Sequence, residues 1–183
     1  MSFILTLTGP SGVGKGYVKS SLKSDFDYDE PLIYTTRPSR PHEGDRICLE
    51  GSCFDLMVGS GKIVLPHDVY GNRYGFERGF FDSIEDTSVV SEVYVSLVSF
   101  FREKYPDAIM VALKSNSEQL LRERLKKRGE SSDSIEKRVR SALEESRSID
   151  VLRDNFDLVL DVGHYSGCQI VDIIGGVLKN GSR

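Results

Sequence analysis

The sequence predicts an α/β fold, a parallel sheet flanked by helices. Three features lead there. Short, continuous apolar runs recur along the 183 residues. Segments of helical periodicity separate them. The first apolar run also feeds directly into a glycine-rich turn that ends in lysine and opens a helical pattern.

The elements follow in order. Ile4-Leu5-Thr6-Leu7-Thr8 reads as the first strand, and Val18 and Leu22 mark one face of a short helix after the turn. Pro31-Leu32-Ile33-Tyr34 reads as a second strand. Residues 35–80 change in character, with prolines and glycines between short apolar pieces such as Ile63-Val64-Leu65. They predict a small insert carrying a hairpin or short sheet. Val89–Val93 returns to a buried strand, and Val95, Val98, Ser99 and Arg102 suggest a helix ending before Pro106. Ala108–Leu113 is a continuous apolar run, as in a central parallel strand.

Three further helices are expected. Ser117 is placed to cap one that runs through Lys127 with Leu120, Leu121 and Leu125 inward. Ile135, Val139, Ala142, Leu143 and Ile149 mark a longer one. Ile170, Ile173, Ile174, Val177 and Leu178 mark the last, on one helical face. Asp157-Leu158-Val159-Leu160 supplies a buried strand between these two.

Composition narrows the function classes. Lysine and arginine number 24 against 28 aspartates and glutamates, a net charge of −4. That balance gives no general attraction to nucleic acid or an anionic membrane, so any phosphate affinity must be built locally. Cys48, Cys53 and Cys168 are odd in number and lack zinc-ligand spacing, which fits a reducing compartment, the cytoplasm. No apolar run approaches transmembrane length. The first residues lack the basic region of a signal peptide.

The turn itself carries chemistry. Gly9-Pro10-Ser11-Gly12-Val13-Gly14-Lys15 fits the phosphate-loop pattern G-x-x-x-x-G-K in its strand-to-helix context. Its glycines permit close approach of the backbone to an anion. Successive N–H groups at a helix N-terminus form an anion nest, and Lys15 adds a point charge. The next residues are Gly16 and Tyr17, where a serine or threonine commonly follows the lysine. A second cluster, Thr35-Thr36-Arg37-Pro38-Ser39-Arg40, sets two arginines three apart beside hydroxyls and a stiffening proline. Arginine suits bidentate capture of a phosphate. Taken alone, the cluster also fits a solvated loop. Likewise Arg122, Arg124, Lys126, Lys127 and Arg128 fit the basic last turn of a helix.

Taken together, these segments resemble the guanylate kinase family, nucleoside monophosphate kinases on the P-loop NTPase fold. The likeness covers nearly the whole chain. It rests on Gly9–Gly16, on Tyr34-Thr35-Thr36-Arg37-Pro38-Ser39-Arg40 with Glu43, on Tyr70-Gly71-Asn72-Arg73-Tyr74-Gly75, and on Arg124-Leu125-Lys126-Lys127-Arg128-Gly129 followed by Ile135-Glu136-Lys137-Arg138. The resemblance implies one domain: a core of residues 1–34 and 81–183, an acceptor-binding insert at 35–80, and a helical lid near 128–134. It implies that Gly9, Pro10, Ser11, Gly12, Val13, Gly14, Lys15, Gly16 and Tyr17 hold ATP. Arg37, Arg40, Glu43 and Tyr74 would bind the acceptor. Lys15, Arg37, Arg128 and Arg138 would carry catalysis by compensating charge on the migrating phosphoryl group. Mg²⁺ would enter with ATP, mostly through water, because Gly16 offers no ligand. No metal held by side chains is expected, and the chain would act as a monomer or homodimer.

Departures from the family gather at the acceptor site. Ile33 stands where a phosphate-binding serine is usual, and Cys48 lies nearest an absent tyrosine. Leu65 and Phe76 stand at positions that read guanine. Glu92 lies near the acidic residue ending the third strand, but Tyr94 occupies the aspartate position. A guanine pocket needs acceptors for the N1 and N2 hydrogens, and leaving such donors buried and unpaired costs about 1–3 kcal/mol each. The expected acceptor is GMP or a related small phosphorylated molecule. A sugar phosphate is the first alternative, by resemblance to ribose 1,5-bisphosphate phosphokinases through Arg46-Ile47-Cys48-Leu49 and Leu65. A catalytically impaired binding module is the second. His42, His67 and His164 are scattered, and no metal or acid–base role is assigned to them.

Overall fold

A computed structural model describes residues 2–39, 46–83, 87–127 and 129–180. The acceptor residues Arg40 and Glu43 and the lid residue Arg128 lie outside the described residues. The chain divides into two compact units, one formed by Phe3–Asp27 with Val90–Arg183 and the other by Tyr28–Val89.

The first unit is built on a parallel sheet of four strands. Strand β1 (Ile4–Thr8) lies between β6 (Val89–Glu92) and β7 (Ile109–Lys114), and β8 (Leu158–Asp161) pairs with β7 on the far side. Leu7 pairs with Val111, and Ala112 with Val159. The continuous apolar runs have a direct cause: helices cover the sheet, so alternate residues have no solvent face to serve. Leu5, Leu7, Met110, Val111, Ala112 and Leu113 are fully buried. Buried with them are Val18 and Leu22 of α1 (Lys15–Leu22), Leu121 and Leu125 of α5 (Glu118–Lys127), and Val139, Ala142 and Ile149 of α6 (Ser132–Val151). Helix α7 (Gly167–Asn180) adds Ile170, Ile174 and Leu178.

Caps set where these helices begin. The Ser117 hydroxyl accepts from the Leu120 N–H at 3.2 Å, and the Ser131 hydroxyl from the Ser134 N–H. Ser166 and Gln169 bond reciprocally before α7, a capping box. The helix expected from Val95 is divided. A 3-10 turn at Val95–Leu97 precedes α4 (Val98–Lys104), and Tyr105 leaves helical geometry just before Pro106, as a following proline requires.

The second unit holds a mixed sheet. Strand β2 (Ile33–Thr35) runs parallel to β3 (Arg46–Cys48) and antiparallel to β5 (Asn72–Glu77), which forms a hairpin with β4 (Ile63–Val69). The second strand therefore starts later than the sequence suggests, because pairing begins at Ile33 with Phe76 and Pro31 has no N–H to give a ladder. Tyr70 and Gly71 turn the hairpin, both at positive φ, 52° and 75°. This is the mirror-image turn that matches strand twist. The sequence does not announce α2 (Gly51–Gly59), which buries only Phe54 fully and packs it on Tyr34 and Ile63. Helix α3 (Arg78–Ser83) follows β5.

Candidate functional site

The loop between β1 and α1 is shaped by its surroundings. A Cβ on Gly9 would lie 2.1 Å from the Leu113 carbonyl oxygen, and Gly9 sits at φ 150°. Only glycine lets β1 turn off this close beside the end of β7. Gly14 then caps α1 from the left-handed region, φ 106°. Helix α1 starts at Lys15, so the loop meets the positive end of its dipole.

Two arginines from distant sequence reach this loop. Arg124 Nη1, on α5, donates to the Val13 carbonyl at 2.9 Å and the Gly12 carbonyl at 3.3 Å. In a trans peptide the C=O and the following N–H point opposite ways. Anchoring these two carbonyls on Arg124 therefore turns the Val13 and Gly14 N–H groups toward the other side. Arg138 Nη1, on α6, donates to the Ser11 hydroxyl at 3.0 Å, and its Nε pairs with Glu130 at 2.8 Å.

Lys15 folds back onto its own loop. Its ammonium donates to the Gly9 carbonyl at 2.5 Å and the Pro10 carbonyl at 3.3 Å. Glu92, the last residue of β6, approaches it at 3.9 Å. Lys19, one turn along α1 and almost fully buried, reaches the other oxygen of the same carboxylate at 3.4 Å. Gly16 is open, with nothing within 4 Å of an added Cβ. Tyr17 is half exposed and points to α7, its hydroxyl 3.5 Å from Cys168 Sγ. That contact with the thiol raises the Tyr17 pKa above its ordinary value.

The second unit gathers the other described candidates. Thr35 of β2 lies opposite Tyr74 of β5. Arg37 follows two residues on, mostly buried, its N–H bonded to the Thr35 hydroxyl at 3.1 Å and its Nη1 to the Pro38 carbonyl at 3.3 Å. Thr36 locks to Arg73 by two bonds, 2.9 and 3.0 Å, so the segment entering Arg37 is tied to β5. Arg73 itself pairs with Asp55, donates to the Gly51 carbonyl and lies over the Phe54 ring at 5.0 Å. The Tyr74 ring stacks on His67, centroids 6.0 Å apart. Burial pushes the His67 imidazole below its ordinary pKa.

Phe76, Ile33 and Leu65, where the sequence departs from the family resemblance, are apolar in place as well. Phe76 is fully buried and Ile33 nearly so. Leu65 sits at φ 51°, where β4 breaks register between Val64 and His67, and the Leu65 carbonyl lies 2.7 Å from His67 Nδ1.

Sequence reasoning assigns Glu130 and Lys19 no role, and it places Arg124 in a motif without one. All three touch the loop or a residue that touches it. Lys19 had a signal: it lies four residues after Lys15 and therefore on the same helical face. Arg122, by contrast, is surface charge as its position suggests, bonded to Glu118 and Glu136, and these bonds raise its pKa and lower that of Glu136.

Comparison with known proteins decides the family. The chain is 31% identical over 148 residues to the guanylate kinase of Symbiobacterium thermophilum, a match spanning 77% of this chain and 70% of that one. The chain belongs to the guanylate kinase family. The guanylate kinase of Lactobacillus acidophilus is 29% identical over 189 residues, spanning 92% of this chain and 93% of the relative. The crystal structure of guanylate kinase from Anaplasma phagocytophilum shares the fold, with a TM-score of 0.74 at 20% identity over 98% of this chain and 85% of that one. No family model matches the chain. Membership of the guanylate kinase family makes the protein a kinase of the nucleoside monophosphate type, on a P-loop NTPase fold. Among the described residues no helix is long and apolar enough to cross a membrane.

Proposed function

We propose that this guanylate kinase homologue transfers the γ-phosphate of ATP to GMP or a related small phosphorylated acceptor. The observation that carries the proposal is the braced loop. Arg124 fixes its carbonyls, Arg138 meets Ser11, and Lys15 stands at its end with bonds to two carbonyls that a phosphate oxygen would replace. Phosphoryl transfer asks a protein mainly for position and charge compensation, and these residues offer both. In this reading Gly9 to Tyr17 receive the ATP phosphates. Lys15 and Arg138 stabilise charge developing on the transferred group, and Arg128 joins them. Arg37, Arg40, Glu43 and Tyr74 hold the acceptor.

The residues around the loop do not fit a Mg²⁺ ion held by the protein. Gly16 has no side-chain oxygen to give, and the Glu92 carboxylate is engaged by two ammoniums. Among the described residues no three histidines, cysteines or carboxylates cluster as metal ligands. In this reading Mg²⁺ arrives on the oxygens of ATP.

A sugar phosphate is the second reading of the acceptor. The fully buried Phe76 and the apolar Leu65 favour it, because neither gives a guanine edge a polar partner. The test is ADP formation with Mg-ATP and, separately, GMP, dGMP, AMP, UMP and ribose 1,5-bisphosphate. Turnover with GMP alone supports the family acceptor, and turnover with ribose 1,5-bisphosphate alone supports the second reading. No acceptor-dependent ADP with any of them, together with no ATP-induced thermal shift, would overturn both in favour of a binding module.

A further inference from the structure

Two lysines share one carboxylate beside the phosphate loop. Lys15 and Lys19 sit one turn apart on α1, where like charges ordinarily repel. Glu92 relieves that repulsion by offering a separate oxygen to each, Oε2 at 3.9 Å to Lys15 and Oε1 at 3.4 Å to Lys19. All three side chains are between 11 and 16% exposed, so solvent screens them little. The same loop lacks the hydroxyl after Lys15 that commonly holds Mg²⁺ in this motif. A second ammonium, that of Lys19, stands one turn along α1 and shares the Glu92 carboxylate.

We propose that Lys19 is a positioning residue of the phosphate site. Through Glu92 it governs how freely Lys15 meets a polyphosphate. This inference rests on the reading of the loop as the ATP phosphate site. Its logic is competition. An incoming triphosphate draws on the same ammonium that Glu92 and the Gly9 and Pro10 carbonyls hold. With Lys19 present, Glu92 is shared and its grip on Lys15 is weaker. Without Lys19, Glu92 pulls harder on Lys15. Without the Glu92 charge, neither ammonium is drawn to that carboxylate.

The two substitutions therefore act in opposite directions, which a merely structural ion pair does not produce. Titration calorimetry with inorganic tripolyphosphate in EDTA reads this without any acceptor. Glu92→Gln should tighten tripolyphosphate binding about tenfold, and Lys19→Met should weaken it about tenfold, the scale of one charged hydrogen bond. Lys19→Arg should keep the wild-type affinity. Glu92→Gln is isosteric, and its result decides by itself if Lys19→Met does not fold. Equal affinities, or weaker binding in both variants, would overturn the proposal while leaving the ATP site intact. A wild-type protein that binds neither tripolyphosphate nor Mg-ATP would overturn the loop reading, and this inference with it.

Discussion

Arg138 donates to the hydroxyl of Ser11 at 3.0 Å, joining helix α6 to the phosphate loop across 127 residues of sequence. The bond places a guanidinium at the loop, and Glu130 at 2.8 Å compensates its charge. In the proposed reaction, Arg138 exchanges these partners for the migrating phosphoryl group. Arg138→Met should lower kcat by about 10²-fold, as expected for loss of one preorganised charge-stabilising donor. Its effect on KM for ATP should be smaller. Steady-state kinetics at saturating acceptor separates the two.

Arg124 acts differently, because its contacts are with loop backbone. Removing it frees the carbonyls of Gly12 and Val13 and with them the direction of the following N–H groups. Arg124→Ala should weaken ATP binding about tenfold or more, the scale of losing charge-assisted hydrogen bonds. Arg124→Lys should recover only part of this, since an ammonium lacks the planar fork. Calorimetric titration with Mg-ATP checks both.

Two loop glycines should respond oppositely to a methyl group. Gly9→Ala drives a Cβ into the Leu113 carbonyl, where backbone cannot give way. It should cost about 3 kcal/mol or more, as overpacking plus a strained backbone. Gly16 has open space on the first turn of α1. Gly16→Ala should be neutral or stabilise by up to about 1 kcal/mol through helix propensity. Urea unfolding of both variants is the measurement.

The half-buried His67 gives the protein a pH dependence. Its folded pKa lies below the ordinary value of 6.5 because burial disfavours the charged ring. The unfolded chain then binds a proton that the folded one resists, so stability rises with pH across this window. The contribution is complete above pH 6.5 and is lost as pH falls through the lowered folded value. Melting temperature measured downward from pH 7 should fall, and His67→Asn should flatten that fall.

Much of the α/β core was legible because burial on both faces of a sheet leaves a plain mark. The runs Ile4–Thr8 and Ala108–Leu113 needed no context to be read as strands. The phosphate loop was legible for a related reason: its glycines answer to local geometry, such as Gly9 against Leu113. The second unit was harder to read. Helix α2 starts and ends on glycine and buries one phenylalanine fully, so its face is too faint to show as a period. Lys15, Arg124 and Arg138 all lay in motifs, but Arg124 also fitted ordinary charge near a helix end and received no role of its own. Its role depends on α5 facing the loop, which no local pattern encodes. Glu92 was found by position, yet its link to Lys19 exists only once β6 and α1 are side by side.

The central claim is that the loop ending in Lys15 drives phosphoryl transfer from ATP. Phosphorus NMR of the wild type and Lys15→Met, each with Mg-ATP and the acceptor panel, tests it most directly. The wild type should convert ATP to ADP only when an acceptor is present, with a new phosphate resonance on that acceptor. Lys15→Met should remain folded and lose this conversion by about 10²-fold or more. Full conversion by Lys15→Met, or ADP formation by the wild type that ignores every acceptor, would contradict the account.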